Sequence, residues 1–98
     1  MKEFVYYGEL FNIYKDLLND TNKKYYSLYY EENLTLQEIA DLENVSKSYV
    51  GNIINKTTKK LDNFESILGL YKKYDKLESL LSDNDIENIK KVIKEILN

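Results

Sequence analysis

The sequence predicts an all-α protein, a small helical domain that contains a helix-turn-helix. The chain has no Pro and only three Gly in 98 residues, so it lacks most of the residues that form the turns of β proteins. Apolar residues recur at spacings of three and four along most of the chain, as they do on one face of an α-helix. Hydrophobic residues make up 43% of the chain, which is enough for a folded core. We therefore expect residues 1–98 to form a single domain.

Two helices are predicted before the central motif. Apolar spacing over residues 10–18 predicts an amphipathic helix that begins near Glu3. The polar residues 19–22 end it, and any of their side chains could cap the next helix. We favour Asn19 as the N-cap of a second helix that continues to about Glu31. Its predicted core face is Tyr25, Leu28 and Tyr29, with Tyr26 and Tyr30 at the margins.

The tyrosines of this second helix allow two interpretations. Aromatic faces can stack on unpaired bases, so the cluster could form a platform for single-stranded nucleic acid. Tyrosines three to four residues apart on an amphipathic helix can instead bury their rings and keep the hydroxyl hydrated. We favour packing at the core and its rim.

Residues 35–60 carry the predicted helix-turn-helix. Thr35 and Glu38 form the T-x-x-E pattern of a capping box, Asn44 suits a left-handed corner, and Ser46 can cap the second helix. The expected inner faces are Leu36, Ile39, Ala40 and Leu42 in the first helix and Tyr49, Val50, Ile53 and Ile54 in the second. The alternative is a pair of bundle helices that bind no groove.

Residues 61–98 are predicted to form a C-terminal helical extension. Apolar spacing continues to Leu81, interrupted only by Gly69, and Ser82 with Asp85 resembles a capping box for a last helix. These helices carry more apolar surface than a small core can cover. We expect them to pair with a second copy in a homodimer, unless they fold back on the core.

Composition argues against enzymatic, metal and membrane functions. Without Cys or His, the chain lacks disulfides, thiolate and imidazole ligands, and the commonest proton shuttle. Asp83, Asp85 and Glu87 lack the central Gly and the spacing of a calcium loop, and no Gly-rich phosphate loop is present. We expect no catalytic residue, metal or cofactor. The acidic, Tyr-containing N-terminus and the lack of a long apolar run predict no membrane insertion and a cytoplasmic location.

Positive charge is concentrated in the second helix of the motif. The chain carries a net charge of −3, whereas residues 46–60 hold four Lys and no Asp or Glu, a local charge of +4. Small polar and amide side chains can approach base edges, and Lys can bind phosphates. The candidate nucleic-acid-binding residues are Lys47, Ser48, Gly51, Asn52, Asn55, Lys56, Lys59 and Lys60. Glu38 and Asp41 on the preceding helix would repel phosphates, so we expect weak binding by one copy. The alternative is a solvated lysine face that binds nothing.

The chain resembles the YlxM-like family of small helix-turn-helix proteins, whose motif is similar to region 4 of bacterial sigma factors. The resemblance spans roughly residues 10–81 and is carried by the segments 28–30, 34–40, 44–47 and 61–71, which ends in Leu68-Gly69-Leu70-Tyr71. The chain departs from the family pattern at Lys47, where Arg is usual, and at Gly51, where a larger residue is common.

The resemblance implies a dimeric, non-enzymatic protein with an accessory or regulatory role in the signal recognition particle pathway. Its implied partners are nucleic acid, either RNA or DNA, and the targeting GTPase of that particle. A different hypothesis is a protein-interaction adaptor, in which the motif is only a scaffold and the apolar C-terminal helices bind partners. The net acidity of the chain and its long apolar stripes favour that alternative.

Overall fold

The structure is a computed structural model that describes residues 2–98, so Met1 of the predicted domain lies outside it. All regular structure in this part of the chain is helical. The α-helices are α1 (Lys2–Tyr14), α2 (Asp20–Tyr30), α3 (Leu36–Glu43), α4 (Lys47–Leu68), α5 (Leu70–Ser79) and α6 (Ile86–Leu97). Short 3-10 turns, Lys15–Leu17 and Leu80–Ser82, follow α1 and α5. The all-α class predicted from the sequence is confirmed.

Polar side chains cap the N-termini of three helices, as predicted. The Asn19 side chain caps α2 by accepting a hydrogen bond from the Asn22 N–H at 2.8 Å. Thr35 and Glu38 form both bonds of the capping box at the start of α3. The Ser46 hydroxyl caps α4 by accepting from the backbone N–H three residues later. Each cap satisfies a backbone donor that the first turn leaves free, and so fixes where the helix begins.

The corner of the helix-turn-helix is at Asn44. This residue adopts the left-handed conformation, with φ of 56° and ψ of 46°. The N–H groups of Asn44 and Val45 both donate to the Ala40 carbonyl, which closes the end of α3. The predicted capped helix, left-handed corner and second capped helix are therefore confirmed.

The core forms where α4 packs against α1, α2 and α3. Its buried apolar side chains all lie between residues 10 and 61. The most completely buried are Leu10, Phe11, Tyr14, Tyr26, Ile39, Val50 and Leu61. Because α4 contributes to every part of this core, its opposite face is held rigidly toward solvent.

Three predicted burial assignments were wrong. Tyr26, predicted at the margin of α2, is fully buried, because Thr58 of α4 pairs with its hydroxyl at 2.7 Å. Leu42 is 59% exposed, since a turn of about 200° separates it from buried Ala40. Tyr49 is 45% exposed at the edge of α4. The remaining predicted inner residues of α4, Val50, Ile53 and Ile54, are buried.

The second helix of the motif is longer than residues 46–60, because α4 continues without a break to Leu68. Gly69 then adopts a left-handed conformation with φ of 61° and separates α4 from α5. The Glu65 carboxylate accepts hydrogen bonds from the N–H groups of Tyr71 and Lys72, and the Tyr14 hydroxyl accepts one from Leu70. Residues of α1 and α4 thus cap α5 and fix its direction.

The last two helices form an arm outside the core. Helix α6 packs on α5, and neither helix has a fully buried residue. The described chain is elongated, with extents of 56 × 23 × 18 Å. The predicted Ser82 cap was wrong: Ser82 ends a 3-10 turn, and Asp85 caps α6 by accepting from the N–H groups of Glu87 and Asn88. The carboxylate of Asp85 is a strong enough acceptor to start the helix without an upstream Ser.

Candidate nucleic-acid interface

The predicted binding residues all lie on the first four turns of α4, the helix whose opposite face fills the core. Gly51 is half-buried, and the other seven residues are exposed. Among the side chains of residues 3–98, the ion pairs are Lys23–Asp16 and Lys24–Glu43, and neither includes a lysine of α4. The four α4 lysines therefore present their charge to solvent, as a phosphate-binding surface requires.

Helical geometry divides these residues into a centre and two flanks. At about 100° per residue, Ser48, Asn52 and Asn55 point away from the buried face centred on Val50, and Lys59 lies in line with them. Lys56 and Lys60 lie on one flank. Lys47 lies about 180° from Lys56, on the other flank. Small polar side chains at the centre with lysines on both sides suit a helix that enters a groove between two phosphate strands.

Gly51 lies on the side of α4 that faces α3. A Cβ added at this position would meet Leu36 Cδ1 at 3.9 Å, an ordinary contact distance, and its φ is not positive. No steric reason within the described chain requires Gly here. Gly51 therefore places no side chain on α4 beside Asn52 and Asn55.

Tyr49 is a candidate that the sequence analysis missed. Its ring is 45% exposed and rests edge-on against Tyr25, with 6.0 Å between ring centroids. On α4 it precedes Asn52 by three residues and Lys56 by seven, so the three side chains share one side of the helix. The sequence analysis placed Tyr49 on the inner face with Val50, Ile53 and Ile54, whereas in the structure it lies at the edge of that face.

Acidic side chains surround the lysine-bearing turns on two sides. On α3, Asp41 accepts from the Gln37 side chain at 2.9 Å, and Glu38 is bound in the capping box. On α4 itself, Asp62 accepts from the Tyr7 hydroxyl at 3.2 Å, which directs this carboxylate toward α1. Positive charge is therefore confined to a short face of α4, and the outer side of α3 is unfavourable for phosphate.

The described residues show no arrangement suited to catalysis with a metal or to crossing a membrane. Residues 2–98 contain no group of three or more acidic side chains placed to hold a metal ion. No helix in that part of the chain is both long enough and apolar enough to span a membrane.

Comparison with known proteins identifies the family that has this motif. A family model described as "Putative helix-turn-helix protein, YlxM / p13 like" and named UPF0122 matches residues 1–98. The chain belongs to the UPF0122 family. The predicted resemblance is thereby confirmed, and the match extends through the last helix, beyond the residues that the sequence analysis could align.

Curated UPF0122 proteins share most of the chain. One from Mycoplasma capricolum is 45% identical over 82 residues, covering 84% of this chain and 73% of that protein. One from Listeria welshimeri is 37% identical over 82 residues, with 84% and 74% covered. One from Ureaplasma urealyticum is 37% identical over 84 residues, with 85% of each covered. The family model covers the whole chain, and these relatives cover 84–85% of it, so the similarity includes the helix-turn-helix.

Proposed function

We propose that this UPF0122 protein is a non-enzymatic, cytoplasmic helix-turn-helix protein that binds nucleic acid through α4 and acts as an accessory or regulatory component of the signal recognition particle pathway. The observation that carries the proposal is the exposed face of α4, where four lysines without an acidic partner in the described chain lie around Asn52 and Asn55. The family resemblance supports the pathway, with the particle RNA, DNA or the targeting GTPase as partners.

The charge distribution predicts binding that depends strongly on salt. If all four lysines contact phosphates, affinity should fall about a hundredfold between roughly 50 and 200 mM salt. One copy should bind weakly, because the outer side of α3 carries Glu38 and Asp41. We therefore propose that the protein acts as a homodimer, which presents two α4 faces to one nucleic acid and doubles the number of phosphate contacts.

The test replaces the four lysines of the face by Gln. Lys47→Gln/Lys56→Gln/Lys59→Gln/Lys60→Gln should abolish retardation of nucleic acid in a mobility-shift assay and leave the melting temperature unchanged, since all four side chains are exposed. The matched control changes Lys15, Lys72, Lys73 and Lys91 to Gln, with the same loss of charge outside α4. Equal loss of binding in both variants would show that only net charge matters, and retained binding in the first would refute the assignment.

The nucleic acid can be identified by comparing three probes at one salt concentration: signal recognition particle RNA, random RNA of equal length, and duplex DNA. Preferential binding of the particle RNA would support the pathway proposal. Equal binding of all three would contradict it and leave a non-specific phosphate contact. A preference for duplex DNA would favour transcriptional regulation.

The second candidate function is a protein-interaction adaptor, favoured by the apolar residues that the arm exposes. Leu81, Ile86 and Leu97 are each at least 65% exposed. Apolar contacts persist in salt, whereas phosphate contacts fade. A pull-down at about 0.5 M salt separates the two functions, because loss of every partner there would argue against the adaptor.

A further inference from the structure

An acidic groove runs between α1 and α5, and the end of α2 also lines it. It has a volume of about 780 Å³ and is open along its length. Its floor includes the rings of Tyr71 and Tyr74. The carboxylates that line it are Glu9, Glu31, Asp75 and Glu78. Among residues 3–98 no lysine lines the groove, and none of these carboxylates belongs to either ion pair found among those residues.

The carboxylates of the groove act on the ring between them. Burial raises the pKa of Tyr71, and the negative charges of Glu9 and Asp75 raise it further. Like charges gathered around an apolar floor repel one another, and a positively charged, apolar occupant would relieve that repulsion. The groove is therefore matched to an amphipathic segment with lysines beside an apolar stripe.

Helix α6 carries such a stripe. Ile86, Ile93 and Leu97 recur at intervals of seven and four residues, so they lie on one side of the helix, and they are 65%, 39% and 80% exposed. Lys90 and Lys94 border the stripe. The stripe is about 16 Å long, and the residues that line the groove span about 10 Å of α5 and about 13 Å of α1, so the groove can hold most of the stripe but not all of it. A molecule's own α6 packs along α5, outside the groove.

We propose that α6 of a second copy occupies the groove between α1 and α5, with its apolar stripe on Tyr71 and Tyr74 and with Lys90 and Lys94 facing Glu9, Asp75 and Glu78. In a two-fold dimer each copy fills the groove of the other, so two equivalent contacts form and no groove is left empty. This inference rests on the homodimer of the proposed function and specifies its interface.

Two charge-reversal variants test the exchange. Lys90→Glu/Lys94→Glu and Asp75→Lys/Glu78→Lys should each weaken self-association about a hundredfold, because both equivalent contacts then bring like charges together. When the two variants are mixed in equal amounts, every contact again pairs opposite charges, so heterodimers should form. Light scattering coupled to gel filtration measures each species, and circular dichroism checks that the helices are retained.

A matched control separates contact from net charge. Lys72→Glu/Lys91→Glu changes the charge by the same amount as the α6 variant but lies off the stripe, and it should pair like the original chain. Only an 11.7 kDa species for the original chain at tens of micromolar would overturn the proposal. It would also fail if the reversed variants paired normally, or if the mixture stayed monomeric. These measurements are made without nucleic acid, and the variants keep the α4 lysines. Their outcome is therefore independent of whether α4 binds nucleic acid.

Discussion

At the scale of single residues, backbone conformation separates glycines that look alike in the sequence. Gly51 lies inside α4 with room for a Cβ, whereas Gly69 has a φ of 61° that side-chain-bearing residues rarely adopt. Gly51 lowers the stability of α4, whereas Gly69 is needed for the left-handed break between α4 and α5.

Gly51→Ala should therefore raise the free energy of unfolding by about 0.5–1 kcal/mol. Gly69→Ala should lower it by about 1 kcal/mol, because the left-handed conformation is strained for Ala. Urea denaturation of both variants against the original chain measures the difference. A loss of stability in Gly51→Ala would show that the added methyl group disturbs the packing against Leu36.

Tyr7 is a residue whose titration should affect stability at alkaline pH. Burial, the hydrogen bond to Asp62 and the charge of Asp62 raise the pKa of Tyr7 to about 12. The folded protein thus holds this proton more tightly than the unfolded chain, whose tyrosines ionise near pH 10. The contribution is fully present below about pH 10 and is lost as the pH rises through the folded value.

The melting temperature should accordingly fall between about pH 10 and 12, and Tyr7→Phe should reduce that fall. The measurement is thermal unfolding at a series of pH values, followed by circular dichroism, with tyrosinate absorbance recorded in parallel. Tyr74→Phe, at an exposed tyrosine, is the control. An identical alkaline fall in original and Tyr7→Phe chains would contradict the role given to Tyr7.

At the scale of secondary structure elements, the junction of α4 and α5 depends on side chains from two helices. The Tyr14 hydroxyl donates to Glu65 Oε1 at 2.6 Å, and together they accept three of the first N–H groups of α5. A carboxylate at this end of a helix also interacts favourably with the helix dipole. The direction of the arm is therefore set by Glu65 and Tyr14 as well as by the Gly69 break.

Glu65→Ala should destabilise the protein by about 1–2 kcal/mol and speed hydrogen exchange at the amides of Leu70, Tyr71 and Lys72. Exchange in α2 and α3 should change much less, because the buried core is intact. Glu95→Ala, an exposed position on α6, controls for the loss of a carboxylate. Unchanged exchange at the start of α5 would show that the two hydrogen-bond partners do not hold the junction.

At the scale of the whole molecule, the buried core does not include the last helix. Every fully buried apolar side chain lies between residues 10 and 61, and α6 contributes none. A chain ending at Ser82 should therefore stay folded, with little change in melting temperature, but should lose self-association. Circular dichroism and light scattering test the two halves of this expectation. A truncated chain that unfolds would show that α6 is needed for the fold.

The sequence by itself determined the helical class, the motif and most of the helix starts. Caps at Asn19, Thr35 and Ser46 and the corner at Asn44 depend on neighbours within a few residues, so local chemistry is sufficient to predict them. The concentration of lysines in residues 46–60 is likewise a property of the sequence.

Only the tertiary structure decided which aromatic side chains are buried and which carboxylates gather at one groove. Tyr26 is buried because α4 packs over it and supplies its partner Thr58, whereas Tyr49 lies at the edge of α4, rests only edge-on against Tyr25 and is 45% exposed. Glu9 and Asp75 are far apart in sequence and meet only because α5 turns back beside α1. Such pairings depend on how helices cross, and the spacing of residues within one helix does not encode that crossing.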